Sequence, residues 1–357
     1  MRLPKTDDQF NLPLINSMID YFIDNGHSYF DTAYIYSGVE DLVKVSLVER
    51  YQRDAYQIAT KLPIYILKSS EMINSIFNTS LKRLGADYID VYLLHGIAKE
   101  HNDVAEQLGA WEFLSKQKCR GLIKQIGFSF HGPPEDLEEI LTKHPETDVV
   151  QLQLNYIDWE DDIIQSKRLY EIARKHSKSI IVMEPIKGGL LSGDNSKASE
   201  LFKRTVPDMS VASWALRFIA SLDGIKVILS GMSNMEQMID NVKTMNDNNK
   251  LSEDDIAIIQ EAVGLYRSVD RIQCTRCRYC VPDCPKGINI QAIIELISDY
   301  LTYNTTANLQ HMYEFFTETG NKASTCISCY SCEKRCPQNI GIVKLMAEAA
   351  RLFDNSL

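Results

Sequence analysis

From residue 12 to about residue 267, short apolar runs of strand length alternate with stretches in which apolar residues recur every three or four positions. The strand-like runs are 28–33, 56–61, 88–95, 124–130, 149–154, 179–185 and 226–231. A helical pattern follows each of them. The pattern over 12–24 puts Leu14, Ile15, Met18, Ile19, Phe22 and Ile23 on one stripe, with Gly26 as the stop. Comparable patterns cover 69–84, 134–143, 166–175 and 209–221. Ser252 opens a last one, with acidic residues in its first turn where they suit the helix dipole. Repeated βα units predict a parallel sheet covered by helices. Seven strands and eight or more helices fit an α/β fold of the (β/α)8 TIM-barrel type with one strand absent. A first barrel strand should precede the helix at residue 12, yet residues 1–10 hold no strand-length apolar run. The expectation is that Met1 is an internal methionine and that the first strand is missing from this chain.

Length and charge narrow the picture. The 357 residues suffice for two domains, and 45% hydrophobic with 24% charged residues excludes a disordered or fibrous chain. Ten more acids than bases (48 against 38) argue against nucleic acid or an anionic membrane as main partner. No apolar run approaches the roughly 18 residues of a spanning helix, and the start of the chain has no signal-peptide core. A cytoplasmic location is therefore expected. In a reducing compartment nine cysteines suggest metal ligation rather than disulfides.

Eight of the nine lie in the last quarter. Cys274, Cys277, Cys280 and Cys284 repeat as Cys326, Cys329, Cys332 and Cys336, each set spaced C-x2-C-x2-C-x3-C and closed by a proline, Pro285 or Pro337. Three cysteines at two-residue intervals wrap three corners of a cubane, and the fourth reaches the other cluster in two-cluster ferredoxins. Zinc favours paired knuckles instead. Helix-like stretches at 290–303 and 307–317 separate the sets, with Ile293, Ile294, Ile297 and Leu301 on one face of the first. The segment resembles the helical two-cluster ferredoxin module. That resemblance implies two [4Fe-4S] clusters, one on Cys274, Cys277, Cys280 and Cys336, the other on Cys326, Cys329, Cys332 and Cys284. Cys119 is left as a bystander thiol.

In a parallel barrel the carboxyl ends of the strands carry function. Read in order, those ends supply Asp31 with Tyr36 five residues later, then Lys61, then His95. Four such groups converging on one mouth can move protons. A carboxylate-held lysine would favour the phenolate and lower the tyrosine pKa, while a neutral imidazole could orient a carbonyl. The blocks Phe30-Asp31-Thr32-Ala33-Tyr34-Ile35-Tyr36, Ala59-Thr60-Lys61 and Asp87 to His95 resemble the signature blocks of the aldo/keto reductases. The likeness covers roughly residues 11–267, and the cysteine tail is similar to the branch of that family fused to a ferredoxin domain.

The resemblance implies an NAD(P)H-dependent oxidoreductase acting on a small carbonyl substrate. In it Tyr36 protonates the carbonyl, Asp31 and Lys61 tune that tyrosine, and His95 orients the substrate. It further implies that Ser129 and Gln151 hold the nicotinamide carboxamide, and that Lys187, Gly188 and Gly189 cradle the pyrophosphate. Gly231, Ser233, Gln237, Asp240 and Asn241 would lie along the adenosine. Three departures stand out: Phe130 where the family commonly has Asn, Met183 where an aromatic ring stacks, and no cation at Gly231 or Gln237. Without those cations a 2′-phosphate loses its charged partners, so the choice between NADH and NADPH stays open. The expected domains are 1–270 (barrel) and 271–357 (clusters). Two alternatives to a carbonyl reductase remain open: an electron relay with a ferredoxin or flavoprotein partner, and a non-catalytic binding or sensing protein.

Overall fold

The computed structural model describes residues 3–6, 9–247, 250–269, 272–274, 277–306, 308–318 and 320–354. A short antiparallel ribbon, β1 (Lys5–Thr6) with β2 (Gln9–Phe10), opens it. One sheet then takes β3 (Tyr29–Asp31), β4 (Gln57–Pro63), β5 (Ile89–Ile97), β6 (Ile123–Phe130), β7 (Val149–Gln153), β8 (Ser179–Met183) and β9 (Ile225–Ile228). The seven strands lie side by side in chain order, every neighbouring pair parallel. Among the described residues no strand joins β3 to β9, and the ribbon stays outside the sheet. The result is a nearly closed parallel barrel, short of a strand on the side where the sequence lacks one.

Both faces of these strands are covered, so of β4 and β5 only Gln57 is exposed, and the strands read as apolar runs rather than alternating ones. Tyr29, Ala59, Val91, Leu93, Val149 and Ile181 pack together as one layer. Side chains of a strand repeat their direction every second residue. Asp31, Lys61, His95, Gln151 and Met183 therefore share that layer's face, one pleat nearer the carboxyl ends. Gly127, opposite Val149 in the ladder, is a steric requirement: a Cβ there would lie 1.9 Å from the Val149 carbonyl oxygen.

The helix Leu12–Asp24 forms as its pattern predicts. Asn11 Oδ1 accepts the Leu14 N–H at 3.1 Å, Pro13 fits the first turn, Ile15, Met18 and Ile19 are buried, and Gly26 takes φ 87°. The helix after Ser252 spans Glu253–Arg267, capped by the reciprocal Ser252–Asp255 pair. No helix among the described residues is long and apolar enough to cross a membrane.

The chain folds as two compact units, Met1–Pro185 with Ala215–Leu251, and Ile186–Trp214 with Ser252–Leu357. This division in space departs from a cut at residue 270. Helices Lys197–Thr205 and Glu253–Arg267 both belong to the second unit, where they pack on each other and the Ser196 hydroxyl meets the Tyr266 hydroxyl at 3.3 Å. In the same unit the helix Ile290–Tyr303 buries Ile293, Ile294 and Ile297 as expected, but Leu301 is 45% exposed. Thr302 and Tyr303 bury there instead, because Tyr303 packs against Tyr266 at 5.1 Å between ring centroids. That helix also lies against the short turn Lys187–Ser192 and the helix Ile342–Ala349.

Candidate active site and cysteine cavities

The carboxyl ends of β3, β4 and β5 deliver Asp31, Lys61 and His95. The register sets Pro63, two residues beyond Lys61 on the same strand face, against His95. Lys61 is 1% exposed, and its ammonium donates to Asp31 Oδ2 at 2.5 Å and to the Thr32 carbonyl at 2.7 Å. It also stands 5.5 Å from the centre of the Tyr36 ring. The Tyr36 and His95 rings meet edge to face, 6.1 Å apart at 86°. The four predicted residues therefore form one group.

Its electrostatics depart from expectation at one point. Burial raises the Tyr36 phenol well above its ordinary value, and Asp31, Tyr65 and Glu184 push the same way. Lys61, paired with Asp31 and the Thr32 carbonyl, does not bring it down toward neutrality, because burial outweighs the lysine's charge. Tyr36 thus keeps its proton at neutral pH and is a donor. His95 is pushed down to about 3, first by burial and then by the charges of Lys61 and His131. It is a neutral imidazole, and its buried Nδ1 has no hydrogen-bond partner.

Sequence reasoning left out three neighbours. Tyr65, just after β4, has its ring 6.0 Å from that of His95 and 5.9 Å from that of His101, whose Nδ1 is 2.6 Å from the Gly96 carbonyl. His131 follows β6 directly and is shifted down by burial. The only sequence signal for them was position just past strand ends.

Ser129 and Gln151 are ladder partners on β6 and β7, and both are buried. Ser129 Oγ accepts the Gly96 N–H at 2.8 Å, which leaves its own proton to donate. Gln151 Oε1 is buried without a partner. A donor beside an orphaned acceptor fits a primary carboxamide, which offers one C=O and an NH2. Phe130 packs edge to face against Phe128 in the core, and Met183 ends β8, half-buried.

The other predicted cofactor residues fall into two places. After β9, Asn241 donates to Ser230 Oγ at 2.8 Å, Gln237 Oε1 accepts the Ser233 N–H at 2.8 Å, and Ser233 Oγ reaches the Gly231 carbonyl at 3.4 Å. This loop is thus tied to the start of the helix Met235–Asn246 by its own side chains. Lys187, Gly188 and Gly189 take φ 46°, 65° and 101° in the turn that follows Pro185 in sequence and belongs to the second unit. Of these three successive left-handed residues two are glycine, which adopts such φ values without a Cβ penalty.

Within the second unit, one cavity is lined by Cys274, Cys277, Cys280 and Cys336, with Pro337 beside them. Another is lined by Cys284, Cys326, Cys329 and Cys332, with Pro285. The fourth cysteine of each set thus crosses to the other triplet. Among the described residues no three His, Cys, Asp or Glu side chains close tightly on a single ion. The all-thiol sets of four suit a larger sulfide-bridged cluster. Burial pushes the Cys280 thiol up to about 11, while the Ser331 N–H and hydroxyl lower that of Cys329. Cys119 is exposed at the end of the helix Ala110–Cys119, away from both sets in sequence.

A family model described as the aldo/keto reductase family matches residues 1–263, and one described as a 4Fe-4S dicluster domain matches residues 273–340. The uncharacterized oxidoreductase YqkF of Bacillus subtilis is 24% identical over 275 residues, covering 68% of this chain and 86% of that protein. A probable aldo-keto reductase 1 of Glycine max is 29% identical over 186 residues. That match covers 50% of this chain, and the chain spans about half the length of that relative, 51%. A crystal structure of an aldo/keto reductase from Klebsiella pneumoniae in complex with NADP and acetate superposes with a TM-score of 0.59 at 21% identity. It covers 70% of this chain and 85% of the other, a likeness of fold.

Proposed function

This chain belongs to the aldo/keto reductase family, and on that premise we propose that it reduces an aldehyde or ketone to an alcohol with hydride from NADH or NADPH. The observation that carries the reading is the joined group of Asp31, Lys61, Tyr36 and His95 at the strand ends. When bound, the nicotinamide supplies the hydride that adds to the carbonyl carbon. Tyr36 gives its phenolic proton to the carbonyl oxygen, so C=O becomes CH–OH and a phenolate remains. Lys61, held by Asp31, stands 5.5 Å from that ring; its charge favours the phenolate as it forms, while burial and Asp31 keep the resting phenol protonated. Neutral His95 orients the carbonyl oxygen by a hydrogen bond. With a nicotinamide bound, Ser129 would donate to its carboxamide oxygen and Gln151 Oε1 would accept from its NH2. Lys187 and Gly188 serve the pyrophosphate; Gly231, Ser233, Gln237 and Asn241 serve the adenosine. The NADP in the Klebsiella pneumoniae structure supports a nucleotide of this class.

The eight cysteines hold two [4Fe-4S] clusters in the four-thiol cavities, within a sequence domain at 271–357 that follows the reductase domain at 1–270 along the chain. Eight ligand thiols suit a reducing cytoplasm. The test is oxidation of NADH and NADPH against a panel of aldehydes and ketones, with anaerobically purified chain. Tyr36→Phe should lower kcat by about 10²–10⁴-fold. Turnover that survives this substitution unchanged sinks the assignment, and failure to take up roughly eight irons on reconstitution removes the clusters.

A further inference from the structure

The loop of the second cysteine triplet shows apolar side chains to solvent: Ile327 is 57% and Tyr330 52% exposed, with Cys329 exposed between them. Three exposed lysines ring this patch. Lys286 lines the same cavity as Ile327 and Tyr330. Lys322 follows Asn321, whose side-chain amide donates to the Lys286 carbonyl. Lys334 lies one turn past Tyr330, its N–H 3.2 Å from the Tyr330 carbonyl. None of the three enters an ion pair among the described residues. Of the nearby acids, Asp283 pairs with Arg335 at 2.7 Å, while Glu333 and Asp354 accept the Val343 and Ser324 N–H groups, each at 2.8 Å, and keep their charge. A local positive ring thus sits on a chain whose net charge is −10.

We infer that this face is the docking surface for a small acidic iron–sulfur protein of the ferredoxin type, which exchanges electrons with the cluster held by Cys284, Cys326, Cys329 and Cys332. The inference rests on the cluster reading above. An apolar centre with a charged rim is the anatomy of a small transient interface. The net negative charge of the chain opposes an acidic carrier, so the lysines at this face favour its approach here and orient it. A one-electron carrier also matches a one-electron site: the reduced carrier loses one electron, the cluster gains it, and no bond or proton moves.

The test measures binding rather than turnover. Full chain with reconstituted clusters is titrated calorimetrically with an acidic [2Fe–2S] ferredoxin at low and high salt, and its iron content is checked first. Lys322→Glu with Lys334→Glu should weaken binding by about tenfold or more at low salt and flatten the salt dependence. The Lys→Gln pair should do so less, and Arg278→Glu, beside the other cavity, should change binding less than twofold. Iron-loaded chain that binds no ferredoxin, binds only a flavodoxin, or responds to Arg278→Glu instead of the lysines overturns the inference. Chain that fails to take up iron overturns the cluster reading on which it rests.

Discussion

His95 should tie the stability of the barrel unit to pH, and His95→Asn should release it. In the folded chain this imidazole resists protonation down to about 3, through burial and then the neighbouring Lys61 and His131. In the unfolded chain it titrates near 6.5. The folded pKa is the lower one, so the unfolded state binds the extra proton first. The stabilisation is complete above about pH 6.5 and is lost as pH falls toward 3. Between pH 7 and pH 5 the loss is about 2 kcal/mol, and most of the gap lies further down. The assay is denaturant unfolding followed by tryptophan fluorescence, repeated at pH 7, 6 and 5, for wild type and His95→Asn. His131 and His27 are also shifted down by burial, so both proteins weaken in acid. The wild-type curve should nevertheless fall more steeply, and the difference between the two should change by about 2 kcal/mol over that range. Parallel curves would refute the claim that His95 is buried as a neutral base.

Three substitutions test other features. Gly127→Ala forces a Cβ to within 1.9 Å of the Val149 carbonyl oxygen and should cost about 2–4 kcal/mol or prevent barrel assembly. Gly264→Ala, in the helix Glu253–Arg267 with open space around it, should instead stabilise by about 0.5–1 kcal/mol in the same melting assay. Gln237→Arg supplies a cation beside the Ser233 turn and should raise kcat/KM for NADPH relative to NADH by about tenfold in steady-state kinetics. An unchanged ratio would place the 2′-phosphate elsewhere.

The barrel was legible because its strands are buried on both faces: runs such as 88–95 have no solvent side to interrupt them. The active-site group was legible because each member ends or follows such a run. The crossed cysteine pairing was legible through the resemblance of the repeated C-x2-C-x2-C-x3-C-P spacing to two-cluster ferredoxins. What escaped was set by tertiary contact. The phenol pKa of Tyr36 depends first on how far tertiary packing buries it, which no local pattern records. Tyr65, His101 and His131 lie in short segments just after strands, the second of them in the helix Lys99–Gln107, whose paths the alternation of polar and apolar residues does not encode. The exposure of Leu301 has the same origin, since it is the Tyr266–Tyr303 contact that turns the end of the helix.

The turn Lys187–Ser192 packs against the helix Ile290–Tyr303, and Asn304 donates to the Asn195 carbonyl at 2.7 Å just beyond it. A chain shortened at residue 270 would keep every residue of the reductase match and still lose the surface on which that turn rests. The iron-binding tail is therefore a scaffold for an upstream loop, whatever its electrons do. Trimming it is a change to the reductase itself.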